Sequence, residues 1–218
     1  MSGPSAEALA RSLLDRHGRT YAEEAGIGVE RNTPSPLFRL LCLSMLLSAR
    51  IRADIAVAAC RALARAGWRT PERMVKASWA ERARVLNQSG YARYDERTST
   101  MLGESSQLLL DRWHGDLRQL REEAGRQRPA EHRLLQQFKG IGPVGADIFC
   151  REAQVVWEEL RPFVDERALE AASELGLGAR PEAVAGLVPG RDLARLVAAL
   201  VRLSLAGDYE AVRAAARS

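Results

Sequence analysis

Leu134-Leu135-Gln136-Gln137-Phe138-Lys139-Gly140-Ile141-Gly142-Pro143-Val144-Gly145-Ala146-Asp147-Ile148 is the stretch whose reading decides the fold. It reads as a helix, a tight hairpin and a second helix. Gly140 suits the positive φ that ends a helix, and Gly142 leaves no Cβ in the way of a close-approaching backbone. Pro143 suits the first position of the second helix, where a missing N–H costs nothing. The amides of Gly142, Val144 and Gly145 then point outward at a helix N-terminus, the arrangement that binds a phosphate oxygen without reading a base. Lys139 adds a positive charge close by, directed toward phosphate. A plain helix–helix turn that binds nothing would use the same residues, so the surrounding chain has to decide between the two.

Outward from the hairpin, apolar residues recur at helical spacing and no segment alternates as a half-buried strand does, which predicts an all-α protein. Start signals are Ser35-Pro36, Thr70-Pro71, the capping box Ser78 to Glu81, and Asp208. They predict helices near 5–17, 36–48, 53–66, 71–77, 79–88, 95–113, 115–124, 131–138, 143–158, 166–175, 182–187, 190–206 and 208–216. Segments 18–33 and 161–164 read as connections, with no repeat or low-complexity linker.

The 218 residues, 46% of them hydrophobic, suffice for one large or two small domains. Leu37 to Ala49, the longest apolar stretch, is too short to span a membrane and contains Arg39 and Ser44. No export or import presequence is visible, so a cytoplasmic protein is expected, nucleoid-associated in a bacterium. A net charge of +4 permits a polyanionic partner without demonstrating one. Cys42, Cys60 and Cys150 are odd in number and set in apolar helical sequence, as suits buried thiols in a reducing compartment. His17, His114 and His132 show no ligand spacing, which argues against zinc. Lys76 and Lys139 are the only lysines.

Phe138-Lys139-Gly140-Ile141-Gly142, then Val144, then Phe163-Val164-Asp165 after one helix, resemble the helix-hairpin-helix DNA glycosylase superfamily. Pro36-Leu37-Phe38-Arg39-Leu40-Leu41, leading into Leu46-Leu47-Ser48-Ala49-Arg50, resembles the endonuclease III helix that ends in a DNA-wedging loop. The resemblance runs from about residue 5 to 210. It implies a two-lobed helical fold: 35–149 as a six-helix barrel lobe, its hairpin element spanning 131–158, and 1–34 with 150–218 as a discontinuous second lobe. A DNA-binding cleft holding the active site is implied between them. The implied activity is excision of a damaged or mismatched base from double-stranded DNA by a monomer. Three departures qualify this. Val144 stands where bifunctional members have their Schiff-base lysine, which excludes lyase chemistry there. No cysteine follows Cys150, so the C-terminal four-cysteine iron-sulfur cluster is expected to be absent. Arg167 stands where histidine is usual, and the helix before the aspartate runs slightly long.

Asp165 is the implied catalytic carboxylate, placed to stabilise positive charge on the sugar and to orient or deprotonate water. It would equally cap the helix that begins at Glu166, and one residue can fill both roles. Arg50, with Arg52 nearby, sits where the resemblance implies a residue that fills the gap left by a flipped nucleotide. A solvated arginine at a helix end is the alternative. Tyr91 and Tyr94 suit either a base pocket or a partly buried core. Asp147 reads as structural. The resemblance further implies a sodium or potassium ion on backbone carbonyls of Gln136, Phe138 and Ile141. A protein that keeps the hairpin and binds DNA or lesions without catalysis is the second reading, which Val144 and Arg167 allow.

Overall fold

The computed structural model describes residues 4–217, and every regular element among them is helical. The all-α expectation holds. No helix among the described residues is long and apolar enough to cross a membrane. The chain divides into two compact units, Ala22–Glu159 and Met1–Tyr21 with Leu160–Ser218. The hairpin unit therefore takes in 22–34 and 150–159, which the sequence reading gave to the other lobe. Side chains explain the difference: Glu152 accepts the Ala22 amide at 3.3 Å, and Trp157 donates to Asn32 at 3.3 Å. The Trp157 ring also packs on Phe149 with centroids 5.4 Å apart. Residues 1–3 and 218, which the expected lobes included, lie outside the described residues.

The hairpin unit is organised on helix Pro34–Leu47, which is apolar almost all round and buried along most of its length. Leu37, Leu40, Leu41, Leu43 and Leu46 are at most 1% exposed. Each is worth about 1.5–3 kcal/mol of burial, an upper estimate because unfolded chains are partly collapsed. This helix packs against Ala53–Arg65 and Pro143–Ala153. It starts two residues earlier than Ser35-Pro36 suggests, with Thr33 as N-cap and Pro34 at N1. Ser35 instead donates to the Arg69 carbonyl at 2.8 Å. The Ser78–Glu81 capping box forms, with Glu81 accepting the Ser78 amide at 2.8 Å and Ser78 accepting the Glu81 amide at 3.2 Å. Helix Trp79–Leu86 then widens into a π turn, Asn87–Tyr91, with Gly90 at φ +90.

In the other unit, helix Leu193–Ala206 packs on Ala6–His17 and Glu166–Leu175. Leu9, Leu13, Ala172, Val197, Leu200, Leu203 and Val212 supply the core. Asp208 makes no capping bond to Tyr209–Ala215, contrary to its reading as a start signal. Its carboxylate is taken by His17 Nε2 at 3.1 Å and Arg16 at 3.4 Å.

Candidate nucleic-acid interface

The hairpin is fixed from inside. Phe138, 1% exposed, packs on the Trp113 ring at 5.4 Å, and Ile141, 3% exposed, closes the turn by donating to the Phe138 carbonyl at 3.0 Å. Its two flanking helices, Arg128–Leu135 and Pro143–Ala153, are tied by His132 Nε2 to Asp147 at 2.9 Å. The Gln136 amide nitrogen lies 3.0 Å from His132 Nδ1. Asp147 is structural, as its sequence suggested.

The three glycines differ in why they are glycine. Gly140 has φ +89, and a Cβ there would sit 2.6 Å from Met101 Sδ and 3.2 Å from Met45 Cγ. Gly140→Ala is therefore expected to cost about 1–3 kcal/mol, read as a lowered urea midpoint; an unchanged midpoint would contradict the turn geometry. Gly145 packs its Cα against Ile141, where a Cβ would lie 3.3 Å from that side chain. Gly142 is extended, with φ −93 and ψ −169, and a Cβ there would meet no atom within 4 Å. Nothing inside the protein requires glycine at 142. The amides of Gly142, Val144 and Gly145 take no partner among the described residues, and the first backbone bond of the helix runs from Ala146 to the Gly142 carbonyl at 3.0 Å. Gly145 is buried, which corrects its reading as an outward group and leaves Gly142 and Val144, 61% exposed, as the open backbone.

Lys139 departs from expectation too. Its Nζ is 2.7 Å from Glu104, with both side chains about half exposed. A surface pair of this kind is worth roughly 0–1 kcal/mol, so it yields easily to a stronger anion. Ser48 binds the wedge-loop candidate to the hairpin, donating to the Met45 carbonyl at 2.8 Å and the Gly140 carbonyl at 3.4 Å. Arg50 follows, exposed and without an ion-pair partner among the described residues. Arg52 is exposed but clamped on Asp54 by bonds of 3.0 and 2.7 Å, which hold the Asp54 carboxyl below its ordinary range.

Tyr91 cannot line a base pocket. It is wholly buried, donates to the Leu46 carbonyl at 3.1 Å, and burial pushes its phenol up to about 12. The π turn folds it inward. Tyr94 remains half-buried, with the Arg93 guanidinium 5.3 Å from its ring centroid. Asp165 lies in the other unit as N-cap of Glu166–Leu175, accepting the Ala168 amide at 3.1 Å. Arg167 is exposed.

The sequence reading missed one carboxylate cluster beneath the hairpin. Glu131, on its first helix, is 0% exposed and neither oxygen has a hydrogen-bond donor. Burial, and then the adjacent Glu159 carboxyl, push its pKa up to about 8. Burial also opposes the charge on Glu159, but Arg121 grips both its oxygens at 2.5 and 2.6 Å and holds it down to about 2. One proton therefore sits on Glu131 while Glu159 stays ionised.

The three thiols are neutral: burial raises Cys60 to about 12 and pushes Cys42 and Cys150 up as well. They are dispersed, and no group of three His, Cys, Asp or Glu among the described residues is arranged to hold a metal.

The chain matches no protein family and no curated protein sequence. Two solved structures resemble it. One is a non-covalent endonuclease III–DNA complex, 15% identical, covering 78% of this chain and 72% of that one with a TM-score of 0.50. The other is a trapped endonuclease III–DNA covalent intermediate, an estranged-adenine complex, 15% identical over 75% of this chain and 71% of that one, TM-score 0.48. The chain has the all-helical fold of endonuclease III.

Proposed function

We propose that this protein is a monofunctional DNA glycosylase acting as a monomer on double-stranded DNA. The observation that carries the reading is Gly142: exposed, unstrained, surrounded by open space, and set between unpartnered amides at the start of a helix. Absence of a side chain there serves only a molecule arriving from outside. A phosphate on the Gly142 and Val144 amides gains the helix N-terminus and exposes Lys139 to a better anion than Glu104. Arg50, held beside the turn by Ser48, enters the space vacated by a flipped nucleotide.

Asp165 supplies the carboxylate. As the N-glycosidic bond breaks, the base leaves with its electron pair and positive charge builds on the sugar. The carboxylate stabilises that charge and orients the water whose oxygen bonds to the sugar carbon and whose proton is released. Val144 offers no nucleophile and Lys139 is directed to phosphate, which favours water over an enzyme amine. An iron-sulfur cluster does not fit the buried, dispersed, neutral thiols. For a monovalent ion the hairpin offers the carbonyls of Gln136, Phe138 and Ile141, of which Phe138 spends one lone pair on the Ile141 amide and keeps the other. Asp165's bond to the Ala168 amide also supports the second reading, a non-catalytic binder in which it only caps a helix.

Gly142→Val tests the hairpin. The fold has room for the side chain, so the unfolding midpoint should stay within about 0.5 kcal/mol of the parent. DNA affinity should fall about tenfold, the loss of one charge-assisted contact. Parent binding should also weaken steeply with salt. Unchanged affinity in the folded variant would remove the hairpin from the interface.

A further inference from the structure

A pocket of about 320 Å³ opens between Pro71–Lys76, Trp79–Leu86 and Asp95–Trp113, with Val75, Trp79, Thr100 and Gly103 in its wall. Its floor is Arg82, which is 7% exposed. Arg82 Nε donates to the Ser99 carbonyl at 3.0 Å, and Nη1 donates to the carbonyls of Met74 at 3.0 Å and Ala77 at 2.5 Å. Nη2 has no partner among the described residues. It lies directly over Gly103, where a Cβ would come within 2.6 Å of it. Glycine inside a helix is unfavourable by roughly 1 kcal/mol against alanine, and here it makes room for the guanidinium edge.

The charge on Arg82 is buried against neutral carbonyls, with no carboxylate paired to it among the described residues. Burial lowers its pKa, as expected for a cation short of counter-charge. Glu81 acts on it from a distance, but the Glu81 carboxylate is spent on the Ser78 amide and hydroxyl. Buried charges are ordinarily compensated by a partner. Of the polar rim, Glu104 pairs at the surface with Lys139 at 2.7 Å and Gln107 is tied to Asp111 at 2.7 Å. Trp79 stands at the mouth, 45% exposed, its indole fixed by a bond to Thr100 at 3.0 Å. An exposed, immobilised indole beside an uncompensated buried cation is complementary to a flat apolar body carrying one negative charge.

We propose that this pocket binds a small aryl carboxylate, its ring on Trp79 and a carboxylate oxygen on Arg82 Nη2. The site uses neither the hairpin amides nor Asp165, so its test is separate from that of the DNA reading. A singly charged acid suits it better than a phosphate dianion, because Glu81 and Glu104 lie close by.

Titration of the ¹⁵N-labelled protein with phenylacetate, followed by NMR, tests this. Saturable shifts are expected at the Trp79 indole and the Gly103 amide, with Kd on the order of 1 mM for so small a ligand. Phenylacetamide, the uncharged isostere, should bind at least tenfold more weakly. Trp79→Ala removes an exposed ring without touching the core, so it should keep a dispersed spectrum and lose the Gly103 response. Gly103→Ala, which places a methyl against Nη2, should lose the Trp79 response. The proposal is overturned by silence at both reporters through about 20 mM, twenty times that Kd. It is equally overturned by equal responses to acid and amide, or by an unchanged Gly103 response in Trp79→Ala.

Discussion

Asp165→Asn is expected to abolish base release, slowing it by about 10²–10⁴-fold, while DNA affinity stays within about twofold of the parent. The asymmetry follows from the two jobs given to one carboxylate. As a helix cap, Asp165 accepts the Ala168 amide at 3.1 Å, and asparagine accepts the same bond from the same position. Asn and Asp are near-equals as N-caps, so the fold should lose only the charge–dipole contribution, about 0.3–1 kcal/mol. In the proposed catalytic role the residue would act through its negative charge, which asparagine lacks. Single-turnover base release and equilibrium binding on the same duplex separate the two. Full release by the Asn variant would leave Asp165 with only its cap.

Stability should depend on pH through Glu131. Its folded pKa is raised from an ordinary value near 4.5 to about 8, so the folded state keeps a proton that the unfolded chain has already lost across that window. Its contribution is complete below about 4.5 and is lost as pH rises toward 8, the reverse of a salt-bridged carboxylate. Glu159, held near 2 by Arg121, behaves in the ordinary sense and loses its contribution only as pH falls below about 4.5. Between pH 5 and 9 the parent should therefore lose on the order of a few kcal/mol relative to Glu131→Gln. Glutamine stays neutral and can donate to Glu159 as the protonated acid does. Thermal unfolding of both proteins across this range is the measurement, and equal pH slopes would contradict the shared proton.

Local chemistry was legible in the sequence. Gly140 and Pro143, the Ser78–Glu81 box, the Asp165 cap and the solid apolar face of Pro34–Leu47 each depend on neighbours a few residues away. What escaped depends on distant ones. Glu131 reads as an ordinary first-turn acid of a surface helix, and only the approach of Glu159 and Arg121 makes it a buried proton carrier. Arg82 looks like one solvated arginine among many until the carbonyls of Met74, Ala77 and Ser99 close over it. Lys139 met Glu104 and Asp208 met His17, pairings no spacing announces. Tyr91 went to the core because the π turn re-aims it, and a π turn leaves little mark beyond Gly90. Of the site, the hairpin glycines were readable, while their division into Gly140 and Gly145, needed by the fold, and Gly142, needed by nothing within it, required coordinates.

Incubating the protein with duplexes that each carry one modified or mismatched base, with borohydride present in a parallel set, distinguishes hydrolytic excision from binding alone and from lyase chemistry. At least one duplex should release its base and leave an intact abasic strand, with no covalent protein–DNA adduct. Binding to every duplex with no base released from any would make the protein a lesion binder instead, and a borohydride-trapped adduct lost in Lys139→Gln would replace water with an enzyme amine.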